Sequence, residues 1–200
     1  MELDFRALVV IMMSAALVNN FVLRQFLGVC PFLGVSKDLK SSVGMGLAVM
    51  FVMLMAASVT WPIQMFLLTS NGLDFMQTVV FILVIATLVQ LVEVVLKRYS
   101  PALFASLGVY LPLMTTNCAV LAVTISNINK GYTYIEALVS ALGAGLGFFI
   151  AMVIFTGVRE HTESADPPEA FKGVPLTLIS AAILSLAFFG FEGVVENLFK

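Results

Sequence analysis

Six apolar stretches, each of more than 20 residues, constrain this chain more than any other feature of its sequence. They run roughly Leu3–Leu27, Val43–Leu68, Phe75–Leu96, Pro101–Thr124, Ile135–Val158 and Val174–Leu198. A helix rising about 1.5 Å per residue needs about 20 residues to cross a hydrocarbon layer of ~30 Å. The stretches are apolar in blocks rather than along one helical stripe, so the solvent they suit is lipid. Composition agrees: 60% of the residues are hydrophobic and 11% charged, against roughly 25% charged in soluble domains. The expected fold is all-α and integral to the lipid bilayer. Six transmembrane helices form one polytopic membrane domain over residues 1–200.

Short polar breaks separate the stretches at Ser36–Lys40, Ser70–Asp74, Lys97–Ser100 and Asn127–Tyr132. The longest, Arg159–Gly173, carries Asp166-Pro167-Pro168 and reads as an exposed loop. His161 lies in it between Glu160 and Glu163, with no partner at ligand spacing, and reads as a solvated side chain. Lys and Arg in short loops set orientation. The loops after the first, third and fifth helices hold Lys37, Lys40, Lys97, Arg98, Arg159 and Lys172; the opposite side holds Arg6, Lys130 and Lys200. That bias puts both termini on the external, periplasmic side. The run Met1–Arg6 lacks the basic start of a secretory leader, so the first stretch is expected to be retained. A net charge of −2 and the lack of a basic run argue against a nucleic-acid partner. No nucleophile–base pair, phosphate loop or zinc motif appears, which leaves no catalytic residues in this chain alone.

A short internal repeat joins the two cysteines. Val29-Cys30-Pro31-Phe32-Leu33-Gly34-Val35 matches Asn117-Cys118-Ala119-Val120-Leu121-Ala122-Val123 as Cys-x-x-Leu-small-Val. Each copy falls near the end of the first helix of a three-helix half, about 1–97 and 98–200. Three being odd, the second half enters from the other side, giving an inverted repeat. Polar groups interrupt the same two stretches: Asn19, Asn20, Arg24 and Gln25 in one, Thr115, Thr116 and Asn117 in the other. Such groups are costly in hydrocarbon unless buried in protein or wet. Gly28, Pro31 and Gly34, with Gly108 and Pro112, mark where helix can unwind. Ordinary helix ends with interfacial polar residues are the plainer alternative, but matching interruptions beside both cysteines favour a break.

Lone thiols in membrane proteins more often pack as small buried hydrophobes than bind metal. The other reading makes Cys30 and Cys118 metal ligands. An iron–sulfide cluster takes four protein ligands, so a second chain has to offer two. Unbroken helices would leave Cys30 at the cytoplasmic surface and Cys118 ~26 Å away toward the outside. Shared ligation therefore requires both the first and the fourth helix to be discontinuous, near Gly28–Pro31 and Pro112–Asn117. Glu93, four residues before Lys97, suits a helical ion pair better than an ion pathway. Gly143-x-x-x-Gly147, with Gly145 between, suits close helix packing.

The cysteine segments also resemble those of a known family. Leu17-Val18-Asn19-Asn20-Phe21-Val22-Leu23 and Phe26-Leu27-Gly28-Val29-Cys30-Pro31-Phe32-Leu33-Gly34-Val35-Ser36-Lys37 resemble the first cysteine segment of Rnf A subunits. Leu111-Pro112-Leu113-Met114-Thr115-Thr116-Asn117-Cys118-Ala119-Val120-Leu121 resembles the second. Val158-Arg159-Glu160 and Ala165-Asp166-Pro167-Pro168 extend the likeness over essentially the whole chain. The related E subunit of the sodium-pumping NADH:quinone reductase shares the layout, but Asn19-Asn20 and Cys30-Pro31-Phe32 look more like Rnf. The resemblance implies one component of a complex in the bacterial inner (cytoplasmic) membrane. That complex moves electrons between ferredoxin and NAD while transporting Na⁺ or H⁺. It also implies a [2Fe–2S] cluster held by Cys30 and Cys118 with two thiolates from the homologous E subunit. The Rnf subunits B, C, D and G would be further partners. An inverted-repeat secondary transporter without metal, and a purely structural membrane component, remain as readings of other classes.

Overall fold

A computed structural model describes residues 5–18, 20–36, 39–99, 115, 117–165 and 168–198. The first apolar stretch does not form one helix. Helix α1 (Phe5–Met13) runs into a π-helical turn over Ser14–Val18, after which the chain leaves helical geometry. It returns only in the short α2 (Val29–Val35). Helix α3 (Leu39–Ile63) widens into a second π-helical turn, Gln64–Leu68, two residues on from Pro62, whose ring removes a donor from the ladder. Gly72, at φ 66°, lets the chain reverse. Then follow α4 (Gln77–Tyr99), α5 (Cys118–Asn129), α6 (Tyr134–Ser164) and α7 (Val174–Leu198). No strand occurs among the described residues.

Among the described residues, three segments are long and apolar enough to cross a bilayer: Leu39–Leu68, Asp74–Val95 and Tyr134–Thr162. Cys118–Asn129 and Val174–Gly190 are shorter apolar helices. The pair α3–α6 makes the most extensive contact and forms the centre of the bundle. Met45, Val49 and Met53 of α3 are buried there with Phe148, Met152 and Phe155 of α6, joined by Val120 and Val123 of α5. The two helices pack closely because each offers a glycine to a large partner. A Cβ on Gly46 would lie 2.7 Å from the Phe149 ring, and one on Gly145 would lie 2.6 Å from the Met50 side chain. On its other side α6 receives the first helix. A Cβ on Gly143 would lie 2.5 Å from the Met12 carbonyl, and one on Gly147 would lie 2.5 Å from the Ala16 carbonyl. The Gly-x-x-x-Gly pair is thus a packing device, as its spacing suggests. Val79, Leu83 and Val94 on α4 and Ile183, Leu186 and Phe189 on α7 are exposed, an apolar outer face suited to lipid rather than water.

Several boundaries differ from the sequence expectation. Helix α6 continues to Ser164, so Arg159 is not the start of an exposed loop: it is helical and 7% exposed. His161 is exposed in the last turn of α6 rather than in a loop. Asn127, expected in a polar break, is a buried part of α5 whose Nδ2 donates to the Ala137 carbonyl at 3.1 Å. A capping box at the start of α6, Thr133 with Glu136, explains why that helix begins where it does. The Pro101–Thr124 stretch is described only at Thr115 and from Asn117 onward, so Gly108 and Pro112 lie outside the described residues.

Candidate functional site

The break after the first helix is built around one amide. Asn20 is 4% exposed. Its Nδ2 donates to the Gly147 carbonyl at 2.9 Å and, more weakly, to the Ala16 carbonyl at 3.4 Å. Its Oδ1 accepts from the backbone N–H of Val22 at 3.1 Å and of Leu23 at 3.4 Å. The Oδ1 thus satisfies N–H groups that the interrupted helix sets free, while the Nδ2 ties the break to the continuous helix α6 at Gly147. The loop closes with Arg24 N–H donating to the Asn20 carbonyl and Leu27 N–H to the Phe21 carbonyl. From α7, the Ser185 hydroxyl donates to the Leu23 carbonyl. Phe26 sits at φ 54°, a conformation that costs a bulky side chain on the order of 1–3 kcal/mol, and it is half exposed. Arg24 and Gln25 are exposed, and Gln25 lines a cavity of ≈ 380 Å³ with Phe21, Ser126, Asn129 and Lys130. Asn19 lies outside the described residues.

Helix α2 starts after Gly28, whose φ of 83° is natural only for glycine. The break therefore lies upstream of the expected Gly28–Pro31. Pro31 falls within the first turn of α2, where its missing N–H leaves no bond unmade. Cys30 is exposed in the same turn. At the far end of α2, Arg159 donates to the Ser36 hydroxyl at 2.8 Å and to the Leu33 carbonyl at 3.3 Å.

The second cysteine opens α5. Asn117 is the N-cap, in extended conformation, and its Oδ1 accepts from the Ala119 N–H at 3.0 Å. Cys118 is the first helical residue and is exposed; neither cysteine is in a disulfide. The Asn117 Nδ2 is buried without a hydrogen-bond partner, although its Oδ1 is well used. Thr115 is helical and half-buried, and Thr116 lies outside the described residues.

The two segments meet at Gly28. A Cβ there would lie 3.0 Å from the Asn117 Oδ1, 3.1 Å from the Phe148 ring and 3.2 Å from the Ala119 Cβ. Asn117 and Ala119 flank Cys118, and Val29 alone separates Gly28 from Cys30. With ordinary backbone dimensions, that contact limits the Cys30–Cys118 Cα separation to at most about 18 Å. Reading Gly28 only as a place to unwind misses its second use, which is to let the other cysteine segment approach. Glu93 is half-buried on α4, one turn before the exposed Lys97. Among the described residues no group of three or more His, Cys, Asp or Glu converges as a metal site.

The fold defines a helical membrane protein that brings two exposed cysteines onto adjoining helix starts. Its family follows from comparison with known proteins. The chain belongs to the Rnf-Nqr family, whose description, Rnf-Nqr subunit, membrane protein, matches residues 8–195. A relative from Syntrophotalea carbinolica is named as the A subunit of an ion-translocating oxidoreductase complex. It is 52% identical over 95% of this chain and 98% of its own length. One from Acetobacterium woodii, named as the A subunit of a Na⁺-translocating ferredoxin:NAD⁺ oxidoreductase complex, is 52% identical over 93% of this chain and 97% of its own. The corresponding A subunit of the Pasteurella multocida ion-translocating oxidoreductase complex is 47% identical, covering 94% and 98%.

Proposed function

We propose that this chain is the A subunit of an Rnf-type ion-translocating ferredoxin:NAD⁺ oxidoreductase. In this reading Cys30 and Cys118 hold one half of a [2Fe–2S] cluster within the membrane. The observation that carries the site reading is the contact of Gly28 with Asn117 and Ala119, which sets the two cysteine segments side by side. The residues fit such a group on three counts. Both thiols are exposed, as ligands shared with another chain have to be. The sequence has two cysteines in all, so four thiolates require a partner, the homologous E subunit. The buried Asn117 amide beside Cys118 has a donor to spare, the kind of group that tunes sulfur ligands. When bound, the cluster supplies one-electron transfer. The chain's own residues hold the two thiols, through the Asn20-braced break ahead of α2 and the Asn117 cap of α5, beside the apolar core of α3 and α6. The remaining Rnf subunits, B, C, D and G, would supply the ferredoxin and NAD chemistry and the route for Na⁺ or H⁺.

The wider architecture we propose is six spans in an inverted repeat, in a bacterial inner membrane, with both termini external. The α3–α6 crossing supports the repeat. Gly44-Met45-Gly46-Leu47 with Met53 matches Gly143-Ala144-Gly145-Leu146 with Met152. On that superposition Gly46 facing Phe149 and Gly145 facing Met50 are the same antiparallel contact made twice. A solute transporter would need the polar residues of the broken stretches to face a ligand. Asn20 instead uses both ends of its amide on backbone. Iron and acid-labile sulfide assays with EPR on the purified complex test the cluster. Wild type carries a [2Fe–2S] signal that Cys30→Ser and Cys118→Ser each remove from an assembled complex. A signal that survives both changes would overturn the assignment.

A further inference from the structure

We infer that Arg159 is a positioning residue for Cys30, acting through the far end of α2; the inference rests on the ligand reading of Cys30 given above. Helix α2 has seven residues, too few to be stable in isolation, where helices below ~12–15 residues are marginal. Its N-cap, Gly28, offers no side-chain cap. Its position therefore depends on what grips it from outside. At one end Gly28 is wedged against Asn117 and Ala119. At the other, the guanidinium of Arg159 donates to the Leu33 carbonyl and the Ser36 hydroxyl together. A cation there also meets the negative end of the short helix. One turn earlier on α6, the buried Thr156 hydroxyl donates to the Ser42 hydroxyl of α3 at 2.7 Å. Helix α6 thus grips both sides of the link between α2 and α3. Because α6 is packed along α3, it is the rigid element against which α2 is registered. Cys30 lies one turn from Leu33, about 4.5 Å along the axis, so loss of the grip is felt at the thiol as rotation or fraying of the helix that carries it. Burying an arginine is costly in desolvation unless its donors are met, and the two oxygens at the end of α2 help to meet them.

The test uses the purified complex with Arg159→Gln, Ser36→Ala and, as reference, Cys30→Ser. Three quantities are read: iron and sulfide content, EPR line shape with midpoint potential, and the rate of maleimide labelling at Cys30. The expected result is an assembled Arg159→Gln complex with a broadened or partly lost signal, a shifted midpoint and faster labelling of Cys30. Ser36→Ala removes one of the two oxygens while leaving the arginine in place, and shows a smaller change in the same direction. It decides the matter where Arg159→Gln does not assemble. Wild-type content, line shape, midpoint and labelling rate in Arg159→Gln, or in Ser36→Ala when only that variant assembles, would overturn the inference. If Cys30→Ser leaves the signal intact, the ligand reading fails by itself. The labelling rate then still judges Arg159: no increase in the variant refutes the grip on α2.

Discussion

Asn20→Ala removes the side chain on which the first helix break depends, and its cost can be worked from four contacts. Two are strong: Nδ2 to the Gly147 carbonyl at 2.9 Å, and Val22 N–H to Oδ1 at 3.1 Å. The two at 3.4 Å add little. Val22 is 3% exposed, so its N–H is left buried and unmet, at about 1–3 kcal/mol. The lost bond between the break and α6 is worth about 0.6 kcal/mol, up to ~1.7, on the scale measured for bonds between membrane helices. The expected loss is about 2–4 kcal/mol, or about 30- to 1,000-fold in the folded-to-unfolded ratio. Asn20→Asp separates the two contributions. It keeps the acceptor for Val22 but turns a carboxylate toward the Gly147 carbonyl, so it should be no more stable than Asn20→Ala. Unfolding in mixed detergent micelles, followed by tryptophan fluorescence from Trp61, measures both. A change under about 0.5 kcal/mol for Asn20→Ala, the level of an ordinary surface substitution, would refute the view that this amide holds the break open.

Two further outcomes follow from the same packing and charge arguments. Gly147→Ala places a methyl 2.5 Å from the backbone carbonyl of Ala16 and should cost about 1–3 kcal/mol, whereas Gly157→Ala meets nothing within 4 Å and should gain about 0.5–1 kcal/mol in the same unfolding assay. Reporter fusions after Lys40, Arg98 and Thr162 should read cytoplasm, and those after Asn71 and Lys200 the outside; a cytoplasmic signal at Lys200 would undo both the orientation and the inverted repeat.

What is legible in the sequence depends on which signals are local. Apolar stretches locate α3, α4, α6 and α7 because lipid demands them residue by residue. Asn20 and Asn117 stand out as polar groups with backbone to satisfy, and both do so. Arg159 is hidden because charge in a polar run looks like loop. Its partners, Leu33 and Ser36, lie in a distant segment that no local pattern connects to it. The position of the first break is hidden for a different reason. Pro31 looks like a breaker, but a proline in the first turn of a helix breaks nothing, and the asparagine upstream is the better marker. The repeated Gly-x-Gly-Leu of α3 and α6 is masked by the spacing of Gly143 and Gly147, which suggests a single glycine face, when Gly145 serves the other.

The separation of the cysteines gives the sharpest remaining test. Unbroken first and fourth helices would hold Cys30 and Cys118 about 26 Å apart across the membrane. The contact of Gly28 with Ala119 instead limits their Cα atoms to at most about 18 Å. Each sulfur can stand about 3 Å beyond its Cα, so in cluster-free protein bis-maleimides reaching up to about 24 Å should link the two thiols within a single chain. To read this, a protease site is inserted at Gly72, which lies in an exposed turn with open space around it. Cleavage there separates the cysteines onto two fragments, and a cross-link keeps those fragments together on a denaturing gel. Cys30→Ser and Cys118→Ser should each release them. If both thiols react with a monofunctional maleimide yet no reagent of that reach joins the fragments, the two cysteine segments are not neighbours. The shared-ligand reading would then fail with them.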